Sequence, residues 1–286
     1  MRQLRHITCR SSPTRETKHA GLILTKDYSD NASFASCGGD RAVFLWDVTS
    51  ASVTRKFAGN NGHTAKVNCV AFAGQDTSVL VSGSFDATVR LWDLKSKSQN
   101  PIQVLDDASD AIQAIVVHGE KVLVGSVDGR VRSYDVRMGR FITDVVAAPV
   151  TSLTATRDGE GYLVGTLDGK IRLMDWGSGG CLKAYQGAAG GEYRIQSTFG
   201  ANERWVLSGS EEDGEVCVWD TMTGDLVKKV QVPRSEEAMK TKVDKFGNVV
   251  ERKNVISCVA WRNDARSMQW CASGTDGQVT VFGDAD

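Results

Sequence analysis

An aspartate stands six residues ahead of a bulky side chain at six places in this chain of 286 residues. The pairs are Asp40 and Trp46, Asp86 and Trp92, Asp128 and Tyr134, Asp168 and Met174, Asp213 and Trp219, and Asp276 and Phe282. A second aspartate follows the bulky residue in every unit except the last, where Gly283 stands. Successive leading aspartates lie 46, 42, 40 and 45 residues apart, then 63, so the last interval contains an insertion. A spacing this regular marks a repeat architecture, in which each copy builds one small unit whose faces its neighbours bury.

Within a unit the residues read as strands. Val79-Leu80-Val81 runs into Gly83-Ser84 and Asp86, after which Thr88-Val89-Arg90-Leu91-Trp92 alternates with a period of two. That is a hairpin with a polar turn. Lys66–Phe72 upstream and Ile102–Leu105 downstream supply two more short strands. Four strands in about 40–45 residues make the blade of a β-propeller, whereas a helical solenoid needs long stretches at helical spacing. The fold expected is therefore an all-β propeller with six recognisable four-stranded blades.

Composition narrows the function. The chain is 41% hydrophobic and 24% charged, which is globular rather than disordered. A formal net charge of −1 argues against a general binder of nucleic acid or anionic membrane. No run approaches the ~18 apolar residues of a membrane span, and no secretory start is evident. A soluble intracellular protein is expected, in the cytoplasm with the nucleus as a second location. Among the seven cysteines, Cys37, Cys69, Cys217 and Cys258 lie in apolar runs and read as small buried hydrophobes. Gly177–Gly180 and Gly187–Gly191 lack the residues of a phosphate loop and read as turns. With four histidines and no clustered ligands, neither a metal nor another cofactor is expected. His63, Ser82 and Asp86 superficially compose a hydrolase triad. The aspartate recurs at the same place in every unit, however, so it reads as a turn holder and the chain as no enzyme.

These residues resemble the WD-repeat family, whose blades end in Trp-Asp and often begin with Gly-His, as Gly62-His63 leads the second unit. The resemblance implies a hydrogen-bonded tetrad of His, strand Ser or Thr, turn Asp and Trp. The second unit carries His63, Ser82, Asp86 and Trp92; the first carries His19, Ser36, Asp40 and Trp46. The third and fourth have Val124 and Val164 where the Ser belongs and no His, so no tetrad is expected there. In the fifth, Ser208 is one residue out of step with Asp213. Asp128, Asp168, Asp213 and Asp276 are the expected turn holders of the other units.

Residues 38–48 and 125–139 are similar to repeats of the mitogen-activated protein kinase organizer proteins, and the likeness covers about residues 21–286. It implies a non-catalytic scaffold that docks other proteins, in the kinase cascade or the splicing machinery, as a monomeric subunit of larger assemblies. The alternative is a substrate receptor of a cullin-type ubiquitin ligase, because Tyr134-Asp135-Val136-Arg137 resembles the motif such receptors carry. Tyr134, Asp135 and Arg137 are then candidates for partner contact.

The family ring has seven blades against six here, so a chain lacking the first blade is expected. Residues 1–20 form a short basic segment, with Arg2, Arg5, Arg10, Arg15 and Lys18 against Glu16. Gln3–Thr8 is the candidate strand to close the last blade against Gln278–Phe282. The insertion at about 233–253 is expected to be a solvated loop, with a family-specific partner contact as the alternative, and Lys242–Glu251 in it reads as a small hairpin. Arg130, Arg132, Arg137 and Arg172 are expected on exposed strand positions, as solvated edges or as one basic patch. Trp176, Trp205, Trp261 and Trp270 fall outside the Trp-Asp positions and serve either the core or a binding face.

Overall fold

The computed structural model describes residues 23–26, 32–74, 77–135, 139–212, 214–233, 242–243, 249–250, 253–262 and 268–283. His19, Arg137, Asp213 and the proposed closing strand Gln3–Thr8 lie outside them. Every described element is a strand.

The first sheet joins β1 (Ile23–Lys26), β2 (Ser33–Cys37), β3 (Val43–Asp47) and β4 (Ser52–Phe57) in sequence order. The second joins β5 (Val67–Ala73), β6 (Val79–Ser84), β7 (Val89–Asp93) and β8 (Gln103–Leu105), and the third β9 (Ile112–His118), β10 (Lys121–Ser126), β11 (Arg130–Asp135) and β12 (Arg140–Val145). The fourth has β13 (Val150–Ala155), β14 (Gly161–Thr166), β15 (Ile171–Asp175) and β16 (Cys181–Tyr185). The fifth has β17 (Ser197–Gly200), β18 (Trp205–Gly209), β19 (Glu215–Asp220) and β20 (Leu226–Gln231). Inside the insertion, β21 (Lys242–Val243) pairs antiparallel with β22 (Val249–Val250). The sixth sheet has three described strands, β23 (Ile256–Trp261), β24 (Trp270–Gly274) and β25 (Val279–Phe282).

Each sheet is the antiparallel meander of a propeller blade. The spacing that marks the repeat is the hairpin between its second and third strands. Between β6 and β7, Leu80 faces Trp92, Ser82 faces Arg90 and Gly83 faces Val89, which leaves Asp86 in the turn. Six residues therefore carry the chain from the turn to the bulky side chain.

The chain divides into two compact units at Ala155 and Thr156. In each, successive sheets pack face to face, because alternate residues of one strand serve opposite faces. Leu80 of β6 packs with Ala35, Val43, Leu45, Phe57 and Trp92. Its neighbour Val81 packs with Val89, Leu91, Ile112, Val122 and Tyr134. In the second unit Val206 of β18 joins Leu163, Tyr185, Phe199 and Trp219, while Leu207 joins Val216, Ile256, Val259 and Ala272. Strands buried on both faces read as continuous apolar runs, which is why Val-Leu-Val and Trp-Val-Leu precede their turns.

Trp176 is buried with its ring edge-on to Tyr162, Trp205 meets Trp261 in the same way, and Trp270 stacks on Phe282 at 4.1 Å. Cys37, Cys69 and Cys217 are buried. Cys258 is only half-buried, with its thiol 3.0 Å from the Gln196 side-chain oxygen.

Candidate functional site

The turn between the second and third strands concentrates the polar chemistry of each blade. Where a carboxylate there comes out of water, it costs several kcal/mol unless donors surround it. Each blade supplies those donors differently.

In the second sheet the antiparallel register sets Trp92 diagonally across from Ser82, on one face of the β6–β7 pair. The Trp92 indole N–H donates to Ser82 Oγ at 2.8 Å, and His63 Nε2 lies 2.8 Å from the same oxygen. His63 Nδ1 is 3.1 Å from Asp86 Oδ2. A carboxylate at Nδ1 calls for an N–H there, which leaves Nε2 to accept the Ser82 hydroxyl proton. Thr88 Oγ1 donates to Asp86 Oδ1 at 2.6 Å and the Thr64 N–H to Oδ2 at 2.9 Å. Burial pushes the Asp86 carboxyl up, but the bonds from His63, Thr88 and Thr64 outweigh it and hold the group well below the usual carboxylate range. His63, Ser82, Asp86 and Trp92 thus form one closed network, in which Ser82 is fully buried.

In the first sheet the Trp46 indole N–H donates to Ser36 Oγ at 2.8 Å, and Asp40 Oδ1 accepts the Ala42 N–H at 3.3 Å.

The third sheet departs from the reading of Arg132 as a solvated strand position. Arg132 is buried on β11, opposite Val124. Its NH2 donates to Asp128 Oδ2 at 2.7 Å and its NH1 to Ser126 Oγ at 2.8 Å. Ser126 donates in turn to Asp128 Oδ1, and Ser109 reaches Oδ2 through both its hydroxyl, at 3.0 Å, and its N–H, at 3.2 Å. Burial raises the Asp128 carboxyl, and the bonds from Arg132, Ser126 and Ser109 bring it far below its ordinary value. No basic patch includes Arg132, because its guanidinium is consumed here; the reason is the donor shortage left by the missing His.

In the fourth sheet Asp168 Oδ1 accepts from the Thr166 hydroxyl at 2.5 Å and from the Lys170 N–H at 3.3 Å. The Arg172 NH1 donates to Thr166 Oγ1 at 3.1 Å rather than to the carboxylate.

The fifth sheet places Ser208 opposite Cys217 and Val206 opposite Trp219. That is the register of Ser82 and Trp92, so the extra residue sits in the turn and Ser208 is not out of step on the strand. Ser208 nevertheless donates to Gly209 O at 3.2 Å, and the Trp219 indole N–H donates to Gln186 O at 2.8 Å. The turn carboxylate that gathers donors is Glu211, whose Oε1 accepts the N–H groups of Gly191, Glu192 and Tyr193 at 2.9, 2.9 and 2.6 Å. Two adjacent acids ahead of Asp213 were the available sign of it. In the sixth sheet Asp276 Oδ1 accepts the Gln278 N–H at 3.0 Å.

The WD domain, G-beta repeat family (WD40) matches residues 54–93 and 179–220. Over 230 residues the chain is 33% identical to the WD repeat domain-containing protein 83 homolog of Dictyostelium discoideum, covering 71% of this chain and 69% of that protein. The chain belongs to the WD-repeat family of WD repeat domain-containing protein 83. It is 41% identical over 138 residues to the Rattus norvegicus protein of that name, covering 48% of this chain and 44% of the relative. The Homo sapiens protein is 43% identical over 137 residues, covering 48% and 43%. The chain thus spans less than half the length of the two mammalian relatives in these alignments.

Of the partner-contact candidates of this WD-repeat protein, Tyr134 and Asp135 close β11, at the end away from the turn. Tyr134 is buried, and its hydroxyl donates to Asp107 Oδ2 at 3.1 Å; burial and the Asp107 charge push that hydroxyl above its ordinary pKa. Tyr134 and Asp135 line a cavity of about 260 Å³ with Val104, Asp106, Asp107 and Phe141. A second and larger cleft, of about 940 Å³, lies beside Glu211. Among the described residues no three His, Cys, Asp or Glu side chains are grouped to hold a metal ion.

Proposed function

We propose that this protein is a non-catalytic adaptor that docks other proteins, with partners among components of the mitogen-activated kinase cascade or the splicing machinery. One observation carries the reading. The outer strands of adjacent sheets expose large apolar side chains that the cores do not use: Ile102 and Val104 at β8, and Phe141, Ile142 and Val145 on β12. Val104 and Phe141 also wall the cavity beside Tyr134. Apolar groups held in water on a sheet rigid from both sides suit an interface, since aromatic anchors dominate binding energy. The resemblance of residues 125–139 to the organizer proteins supports the choice of partners.

The test is parallel affinity purification of wild type and Phe141→Asp from the native cell, read by mass spectrometry. Recovery of several cascade or splicing components with wild type, and their loss with Phe141→Asp at an unchanged melting temperature, is the expected result. Identical partner sets would overturn the choice of surface, and a set without either class would overturn the choice of partners. Arg137→Ala addresses the ligase-receptor alternative. Capture of a cullin-ligase adaptor that depends on Arg137 would replace the scaffold reading.

A further inference from the structure

We infer that the cleft beside Glu211 receives a cationic side chain, arginine by preference, carried by a partner protein. This rests on the adaptor reading and names the chemistry of one contact.

The cleft holds about 940 Å³, and among the described residues it is lined by three carboxylates, Glu192, Glu211 and Glu212, against one cation, Lys253. Glu211 is the decisive group. Its residue is only 6% exposed, and one oxygen, Oε1, is fixed by the three backbone N–H groups of residues 191–193. Its other oxygen accepts no hydrogen bond among the described residues. A carboxylate held by backbone donors at one oxygen leaves the other to a donor that enters the cleft, and a charged donor suits it best. Because the three N–H groups already hold the side chain, little conformational freedom remains to be lost when that donor arrives.

The rest of the lining agrees. Glu212 is exposed beside it and makes no ion pair among the described residues. Lys253 is tied to Glu192 at 3.0 Å, yet both side chains are more than half exposed, so the pair is weak and easily exchanged. Two residues of the loop that holds Glu211 are glycines, and a Cβ on Gly190 would lie 2.6 Å from Gly169 Cα, so glycine is needed there. A guanidinium offers a planar fork of donors able to meet two carboxylates at once, which an ammonium cannot do in one geometry.

The experiment titrates the full chain into a fluorescein-labelled five-residue peptide, a central arginine flanked by glycines, and reads anisotropy. The control peptide carries citrulline in place of arginine. Saturable binding of the arginine peptide, weakened about tenfold or more by citrulline and by Glu211→Gln, is expected. Glutamine keeps an oxygen for the three N–H groups, and an unchanged melting temperature verifies that the loop survives. Lys253→Ala, which frees Glu192, should tighten binding. Equal binding of the two peptides, no binding, or indifference to Glu211→Gln each overturns the inference. A silent wild type with a binding-competent Arg234→Ala/Arg252→Ala variant also overturns it, because the insertion then fills the cleft itself. The adaptor reading is tested separately at Phe141, so either can fail without the other.

Discussion

Replacing Asp128 by alanine isolates the value of the buried pair that substitutes for a tetrad. The side chains of Arg132 and Asp128 are 3% and 8% exposed, and their closest atoms are 2.7 Å apart. Removing the carboxylate strands a guanidinium that cannot lose its proton, with Ser126 Oγ as its remaining acceptor in this network. Breaking a buried pair from one side costs about 3–5 kcal/mol. Asp168→Ala is the internal control: that aspartate is 35% exposed and its Lys170 partner 47%. An exposed pair contributes about 0–1 kcal/mol. At roughly 2–4 °C per kcal/mol for folding units of this size, Asp128→Ala should lower the melting temperature by on the order of 10 °C and Asp168→Ala by only a few degrees.

Circular dichroism melts read the difference, with hydrogen exchange of the β10 and β11 amides to localise it. Asp128→Ala/Arg132→Met tests the cause, because an apolar replacement of the whole pair is often neutral. The double variant should therefore recover most of the loss. Melting of Asp128→Ala within the range of Asp168→Ala, or a double variant no better than the single, would refute the reasoning.

Ser82→Ala should destabilise by about 1–3 kcal/mol, since it orphans the Trp92 indole N–H and the His63 Nε2 together; urea midpoints measure it. The chain should also lose stability in acid. The folded-state pKa values of Asp86 and Asp128 lie below the ordinary carboxylate value of about 3.9, so the unfolded chain binds protons first as pH falls. Their contribution is complete above about pH 5 and disappears progressively below pH 4. Asp128→Asn should flatten that acid limb in urea midpoints taken across pH; an unchanged limb would show that other carboxylates set it.

The repeat was legible because its signal is local. The step from Asp86 to Trp92 spans one turn and one strand, and the pairing of Ser82 with Arg90 follows from it. The sheet order follows as well, since short links leave sequential strands little choice but to pair. Burial of Arg132 was not legible. A period of two assigns a residue to a face of the sheet but says nothing of whether the next sheet covers that face. The partner of Trp219 was hidden for another reason. Gln186 contributes a backbone carbonyl, and every residue but its position looks alike in that respect. Counting from Asp213 misplaced Ser208 because the extra residue is absorbed in the turn while the strand keeps its register.

These differences share one physical origin. A carboxylate at a packed turn has to be supplied with donors, and the residue four places after it sits on the strand within reach. That residue is arginine in the second, third and fourth units. Where His63 and Thr88 already occupy the Asp86 oxygens, Arg90 turns instead to the Asn61 carbonyl. Where no histidine is present, Arg132 takes the carboxylate directly. Where a threonine hydroxyl intervenes, Arg172 bonds to that hydroxyl while Lys170 approaches the acid. The recurring aspartate is thus kept by the geometry of the turn, and its partners are interchangeable so long as their donors arrive. A unit can lose the histidine and serine of the tetrad and keep its fold, provided a cation takes their place, as Arg132 does at Asp128.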